Sequence, residues 1–491
     1  MKRGAFLLAV ALLFLRVAFF ARTDLYPEEA YYWNYAAHLD IGYLDHPPMV
    51  AWLIHTGSAI FGDNEFGVRA SLLICSLITS FFAFRLTALL FNQHAAAVAV
   101  LLVQVLPFFF LTGFMITPDA PLTACWTGTL YFLARALLQE RPGAWLGLGV
   151  CLGLGLLSKY SIALLGLATL VFLVLDRKSR RWWWHPAPYV AVAVALAIFS
   201  PVVIWNAQHD WASFAFQSAD RVAEKWRFSL HELLLAVLFL LTPVGVVFAW
   251  KSLRGTRSHP PSDARSLLFA RVFVLVPLSV FVLFSLTHRV KLNWTGPLWL
   301  PMIPAMAALL VDLQPGALRR ASIGSLAALT IVYVAFLQYL ASGLPGVSYS
   351  VATELLPVGW SEMGLELEAQ RAAIPRPANG RVLLVGMDRN FIASEAAFYQ
   401  SRKREAIRET TSAHLFGGRG LMYEFWFPSK EQWGATLLLV SFQRHDLDAG
   451  RVRARCAPLG PIEEHWLERD GRRIRQYYTR VAENYSPRAE R

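Results

Sequence analysis

Apolar runs of about 20 residues recur along this chain, and no other feature limits its fold as tightly. A helix needs roughly that length to cross bilayer hydrocarbon, where each backbone N–H and C=O must be satisfied within the segment. About eleven such runs stand out, at 4–20, 68–90, 95–112, 121–138, 144–157, 161–175, 187–205, 230–250, 267–286, 297–311 and 321–340. Only 16% of the 491 residues are charged and 56% are hydrophobic, whereas a soluble chain carries about a quarter charged residues. The charges are sparse up to Leu340 and dense after Arg376. This predicts a polytopic α-helical membrane part over 1–341, including a long loop at 21–67, and a separate part outside the membrane over 342–491.

Two short runs, 144–157 and 161–175, control the topology. They flank Ser158-Lys159-Tyr160 and could form one tilted helix or two helices. Arg135 and Arg141 precede them; Arg177, Lys178, Arg180 and Arg181 follow. Basic loops stay cytoplasmic, so the chain is expected to cross twice between the clusters, with Lys159 at the outer turn. With the N-terminus inside, the basic loop at 251–271 and Arg319-Arg320 also fall inside. The odd count then places everything after Leu340 outside, in the periplasm of a bacterium. The start, Met1-Lys2-Arg3 and an apolar run to Phe20, resembles a signal peptide, but Phe19-Phe20-Ala21-Arg22 is too bulky for a cleavage site, so a retained helix is expected. The net charge of +12 reads as positive-inside loops rather than nucleic-acid binding. Cys75, Cys125 and Cys151 lie in apolar runs and Cys456 stands alone, so no disulfide framework is implied.

Three connections assigned to the outside are long or rich in chemistry: 21–67, 206–229 and 288–296. Within the first, 49–61 is apolar but too short to span, and reads as an interfacial helix. No repeat of 20 to 50 residues is visible, which counts against solenoids and propellers. The terminal region reads as a small α/β domain, with strands at 381–386, 436–440 and 475–481 and a helix over 392–399. The stretch 416–426 is glycine-rich and aromatic. It lacks the P-loop lysine pattern and reads as a packing or sugar-binding loop.

The first outer loop carries Asp24, Glu28, Glu29, Tyr31, Tyr32 and Trp33, then Asp45-His46-Pro47-Pro48. Transfer of a group to a hydroxyl needs a carboxylate that accepts the proton, worth about 10²–10⁴ in rate. Aromatic faces suit sugar rings, and the prolines hold Asp45 and His46 in extended geometry. The alternative is that Glu28 and Glu29 merely begin a juxtamembrane helix, where acids favour the N-terminal dipole. The residues alone leave both open.

This loop resembles the first periplasmic loop of bacterial C-type (GT-C fold) glycosyltransferases, in particular the family related to protein O-mannosyltransferases and the lipid A aminoarabinose transferase. That family has an Asp-Glu pair after the first helix, followed by a His-Pro-Pro or Lys-Pro element. The resemblance continues at Thr117-Pro118-Asp119-Ala120-Pro121, at Leu157-Ser158-Lys159-Tyr160 and from His288 to Asn293 and Pro297, and weakly from Met387-Asp388-Arg389 to Tyr399. It implies a GT-C fold of about eleven transmembrane helices with a small C-terminal α/β domain. It also implies catalytic roles for Glu28, Asp24 and Asp119. The first acid of the pair is Glu28 here, one methylene longer than the family's Asp, so Glu28 fills the base role or Asp24 shares it. Asp119 has a second reading, as a helix N-cap.

Lys159, Arg289 and Lys291 are cations at outer boundaries, against the usual charge bias. A polyprenyl-phosphate leaving group gives them a reason, since preorganised cations stabilise the charge developing on phosphate. Snorkelling to lipid headgroups is the alternative. Arg16 and Arg85, inside apolar runs, are expected to pair with carboxylates or lipid phosphate. His46 and His288 lack the tight spacing of metal ligands; no cofactor is implied, and a divalent metal stays open. The reading is an inverting glycosyltransferase of the inner membrane. It would move a sugar from a polyprenyl-phosphate carrier to a lipid, glycan or protein acceptor, with Glu29, Tyr31, Tyr32, Asp45, His46, Lys159, His288, Arg289 and Lys291 binding substrate. A transporter or flippase of lipid-linked sugars is the rival; such proteins show repeats and midplane ions. An outer-domain glycan sensor is a third.

Overall fold

All of the expected apolar runs are helical in the computed structural model, which describes residues 2–219, 226–254, 264–347, 349, 356–375, 381–469 and 471–487. Among these, seven helices are long and apolar enough to cross a membrane, and a bent pair, Tyr160–Leu175 with Arg177–Trp183, makes an eighth if taken as one span. The rest of the expected eleven are shorter or broken for local reasons. Pro107 lacks an N–H and ends the helix Gln93–Val105, so the run continues as Pro107–Thr112. The last part of the 297–311 run is α-helix Ile303–Val311, but Pro297 and Pro301 leave its start, Pro297–Met302, as 3-10 helix. The helix Asp119–Leu137 is diluted by Thr123, Thr127 and Thr129, whose hydroxyls bond back to backbone carbonyls one turn earlier. The chain is a multi-pass membrane protein.

The 144–175 segment is two helices, Ala144–Leu156 and Ala163–Leu175, broken at Ser158-Lys159-Tyr160. The first of these packs on Pro186–Gln208 through small residues. A Cβ on Gly149 would lie 2.6 Å from the Ala191 carbonyl oxygen, and one on Gly153 would lie 3.0 Å from that of Ala195. Association within lipid relies on such close backbone approach, because tails are as apolar as the helix faces. Arg16, which is buried, and Arg85, which is exposed, bond to neutral acceptors where carboxylates or lipid phosphate were expected. Arg16 donates to Gln104 Oε1, to Ser76 Oγ at 3.5 Å and to the Phe109 carbonyl at 3.4 Å. Arg85 donates to Tyr131 Oη at 3.1 Å. Amide, carbonyl and hydroxyl dipoles take the place of a counter-charge.

The chain divides into two compact units. One comprises residues 1–18, 41–53 and 69–334; the other comprises 19–40, 54–68 and 335–491. Most of the first outer loop, expected to go with residues 1–341, thus folds with the C-terminal residues. In this second unit a five-stranded sheet has the order β2-β1-β3-β5-β4, with β1 Val382–Gly386, β2 Thr410–Ser412, β3 Thr436–Ser441, β4 Leu459–Arg469 and β5 Arg472–Ala482. Strand β1 lies parallel to β2 and β3, with Leu384 opposite Leu438, whereas β5 runs antiparallel to β3 and β4. The central strands β1 and β3 are buried throughout, as expected of parallel strands covered on both faces. The helix Phe391–Tyr399 packs against both Pro27–Ala37 and Trp360–Ala373.

Candidate active-site residues

The Pro27–Ala37 helix begins where the sequence places its acids. Pro27 takes the first helical position, whose N–H is unneeded. Glu29, fully buried, reaches back from the third position to accept the Tyr26 N–H at 2.9 Å. This is half of a capping box. Glu28, in the same first turn, is partly exposed, near the positive end of the helix dipole. Asp24 is buried, and both its oxygens take donors. Oδ2 accepts from the backbone N–H groups of Gly359 at 2.8 Å and Trp360 at 3.0 Å; Oδ1 accepts from Ser361 Oγ at 3.1 Å and Arg469 Nη2 at 3.4 Å. Burial pushes the Asp24 carboxyl above its ordinary range, and Arg469 pulls it back.

The loop's aromatics are packed within the unit. Tyr31 Oη accepts from the Met422 N–H at 3.2 Å and from Tyr35 Oη at 3.3 Å. Tyr32 lies against Tyr31 and edge-on to Tyr35. Trp33 donates to Asp63 at 2.9 Å and meets Phe398 edge-on. The glycine-rich stretch ends in Tyr423–Trp426, and Trp426 stacks on His38 at 4.3 Å. These contacts make the aromatics and this stretch braces of the Pro27–Ala37 helix.

In the other unit, Asp119 opens the helix Asp119–Leu137. The cap position is Pro118, with no side-chain cap bond. Instead, Asp119 Oδ1 accepts from Lys159 Nζ at 2.9 Å and Oδ2 from Asn293 Nδ2 at 2.5 Å. The break after Leu156 leaves Lys159 extended, just before the 3-10 turn Tyr160–Ile162, and so able to reach Asp119. Asn293 is a member of this group that residue-by-residue reading missed. Its signal was only its place in the His288–Asn293 stretch, beside the more conspicuous Lys291.

The remaining candidates are more dispersed. Arg289, well exposed, pairs with Glu232 at 3.2 Å. Lys291 is exposed and precedes the 3-10 turn Leu292–Thr295. His288 stacks on Phe284 at 4.6 Å, its Nδ1 lies 2.8 Å from Thr287 Oγ1, and its carbonyl accepts from Ser229 Oγ. Asp45 is nearly buried and its carbonyl accepts from Gln217 Nε2 at 2.5 Å; His46 is half-buried. Among the described residues no three His, Cys, Asp or Glu side chains are grouped to hold a metal ion.

The profile of the family Dolichyl-phosphate-mannose-protein mannosyltransferase matches residues 45–205. An undecaprenyl phosphate-alpha-4-amino-4-deoxy-L-arabinose arabinosyl transferase of Pseudomonas fluorescens is 27% identical over 57% of this chain and 49% of its own length. The lipid A galacturonosyltransferase RgtD of Rhizobium johnstonii is 30% identical over 39% of this chain and 40% of its own. The chain thus spans about half the length of the curated relatives it matches. Among solved structures, ArnT from Cupriavidus metallidurans in the apo state aligns with a TM-score of 0.68 at 15% identity, over 97% of this chain and 98% of that one. Bound to undecaprenyl phosphate, it aligns at 0.67 and 17%, over 99% of both. That likeness is one of fold. The chain is a membrane protein with the GT-C fold of those structures, and over parts of its length it is similar to the protein mannosyltransferase family and the aminoarabinose transferases.

Proposed function

We propose that this protein is an inverting glycosyltransferase that takes a hexose or pentose from a polyprenyl-phosphate carrier and places it on an acceptor hydroxyl at the outer face of a bacterial inner membrane. The observation that carries the reading is the division of labour among the three acids between residues 24 and 29. Asp24 accepts four hydrogen bonds and Glu29 caps its own helix, whereas Glu28 stands partly exposed in the first turn. Glu28 takes the proton from the acceptor hydroxyl. The hydroxyl oxygen attacks the anomeric carbon from the face opposite the phosphate, and the bond to the phosphate oxygen breaks with its electron pair leaving on phosphate. Lys159, held by Asp119, and the outer cations Arg289 and Lys291 stabilise that charge. Asp45, His46 and His288 line the substrate, and Tyr31 and Tyr32 hold the helix bearing Glu28. The names of the relatives favour a lipid A acceptor and an undecaprenyl phosphate carrier.

Purified protein given undecaprenyl phosphate carrying a labelled sugar and lipid A should transfer label. Glu28→Gln keeps the shape of the side chain but cannot accept the proton, and should lower transfer by about 10²–10⁴ with donor binding intact. Full activity in this variant would remove Glu28 from the reaction. Movement of lipid-linked sugar across vesicles without transfer would replace the enzyme by a flippase.

A further inference from the structure

The helix Trp360–Ala373 has no cap of its own. Its cap position is Gly359, with φ of 85° and no side chain, and no local side chain accepts the first N–H groups. Those N–H groups go to Asp24, 335 and 336 residues away in sequence. Arg469 of β4 joins Asp24 to Glu362 in the first turn of the same helix, at 3.4 and 2.8 Å. The positive φ favours glycine here, and a Cβ would press on the end of the Leu467 side chain at 2.7 Å. One residue past Asp24, the Leu25 N–H donates to Tyr399 Oη at 2.6 Å. The next residue, Tyr26, is the cap of the Pro27–Ala37 helix. A carboxylate that takes two backbone N–H groups, a hydroxyl and a guanidinium leaves its own backbone little freedom.

We infer that Asp24 is a positioning residue: by capping the Trp360–Ala373 helix and meeting Arg469, it fixes where the Pro27–Ala37 helix starts, and with it the carboxylate of Glu28. The inference rests on the reading of Glu28 as the base. It gives the C-terminal unit a share in the reaction through geometry, with no proton passing through Asp24. A displacement of about 1 Å in a reacting group can cost 10²-fold, so the anchor matters to turnover more than to donor recognition.

The test is Asp24→Asn in the full chain, with kcat and donor KM measured beside wild type and Glu28→Gln, and amide exchange followed over residues 27–37. Asparagine keeps the size but turns an amide toward Ser361 or Arg469. The expected result is a roughly ten- to hundredfold fall in kcat, donor KM within about twofold, and faster exchange over 27–37. Asp24→Glu, which restores charge, should recover part of kcat. If Asp24→Asn keeps wild-type kcat and exchange while Glu28→Gln is inactive, Asp24 positions nothing. A loss in Asp24→Asn that Asp24→Glu leaves untouched, without faster exchange, would also overturn it. If Glu28→Gln is fully active, the base reading fails by itself, and exchange over 27–37 still decides whether Asp24 anchors the helix. Should Asp24→Asn fail to fold, Ser361→Ala removes one donor only; a lowered kcat supports the anchor and an unchanged one overturns it.

Discussion

Lys159 donates to Asp119, which also accepts from Asn293, so its removal acts on stability and on chemistry at once. Alone, Lys159→Ala strands a buried carboxylate, and breaking a buried pair costs about 3–5 kcal/mol. The two effects separate if Asp119→Asn is added. The double variant should regain much of the lost melting temperature, because no charge is left unpaired, yet donor KM should stay raised about tenfold or more. Donor use within twofold of wild type in Lys159→Ala would make the lysine a structural counter-ion. Asp388 offers a test by pH. It accepts the Phe391 N–H at 2.9 Å and the Ile392 N–H, capping the Phe391–Tyr399 helix, and burial nonetheless pushes its carboxyl from 3.8 up to about 6. The folded state therefore holds the proton more tightly than the unfolded one. Its contribution is full below the unfolded value and is lost as pH rises through about 6. Asparagine also caps and does not titrate, so Asp388→Asn should gain melting temperature relative to wild type between pH 5 and pH 8. A constant difference would mean that Asp388 is ionised throughout.

At the scale of elements, the membrane helices were legible because a 20-residue apolar run is a local signal that lipid cannot override. The breaks were partly legible: basic clusters on either side of 144–175 forced two helices there, whereas 95–112 and 297–311 read as unbroken runs although Pro107 and Pro297 interrupt their α-helix. In the second unit, β1, β3, β5 and the helix after β1 could be read from apolar or aromatic runs. Strand β2 is three residues long, and β4 is an edge strand whose Glu463, Glu464 and His465 break any apolar alternation, so neither was visible. The packing of Pro27–Ala37 on Phe391–Tyr399 was also hidden, since pairing across more than 350 residues leaves no periodicity in either segment. The site divides the same way. Glu28, Asp119 and Lys159 were singled out by residue type, place and the family resemblance, but the Asp24 anchor and the Asn293 bond depend on distant partners. One packing feature can be tested directly. Gly149 and Gly153 meet Ala191 and Ala195 with backbone nearly in contact. Gly149→Leu must push the Pro186–Gln208 helix away, and overpacking costs about 1–3 kcal/mol or more. The variant should melt lower in detergent, whereas Gly166→Leu, where a Cβ would meet nothing within 4 Å, should not.

For the whole molecule, the proposed reaction fixes which side of the membrane each part must occupy. The reading proposed here needs the C-terminal unit outside, since it carries Glu28 and Asp24 and the sugar carrier is to be used there. Two features support that orientation. The basic stretch Arg177-Lys178-Ser179-Arg180-Arg181 follows the apolar helix Ala163–Leu175, as a cytoplasmic loop does under the positive-inside rule. Arg319 and Arg320 lie in the first turn of the apolar helix Ala317–Ser342, whose other end leads into the C-terminal unit. If the arginines at the start of that 26-residue helix are inside, its end at Ser342 is outside. A reporter active only in the periplasm should therefore work when fused after Arg491 and stay silent when fused after Lys178, and a cytoplasmic reporter should give the reverse. Activity of the periplasmic reporter at Lys178 alone would invert the protein, place Glu28 on the cytoplasmic side, and leave a carrier-linked sugar outside without an enzyme to use it.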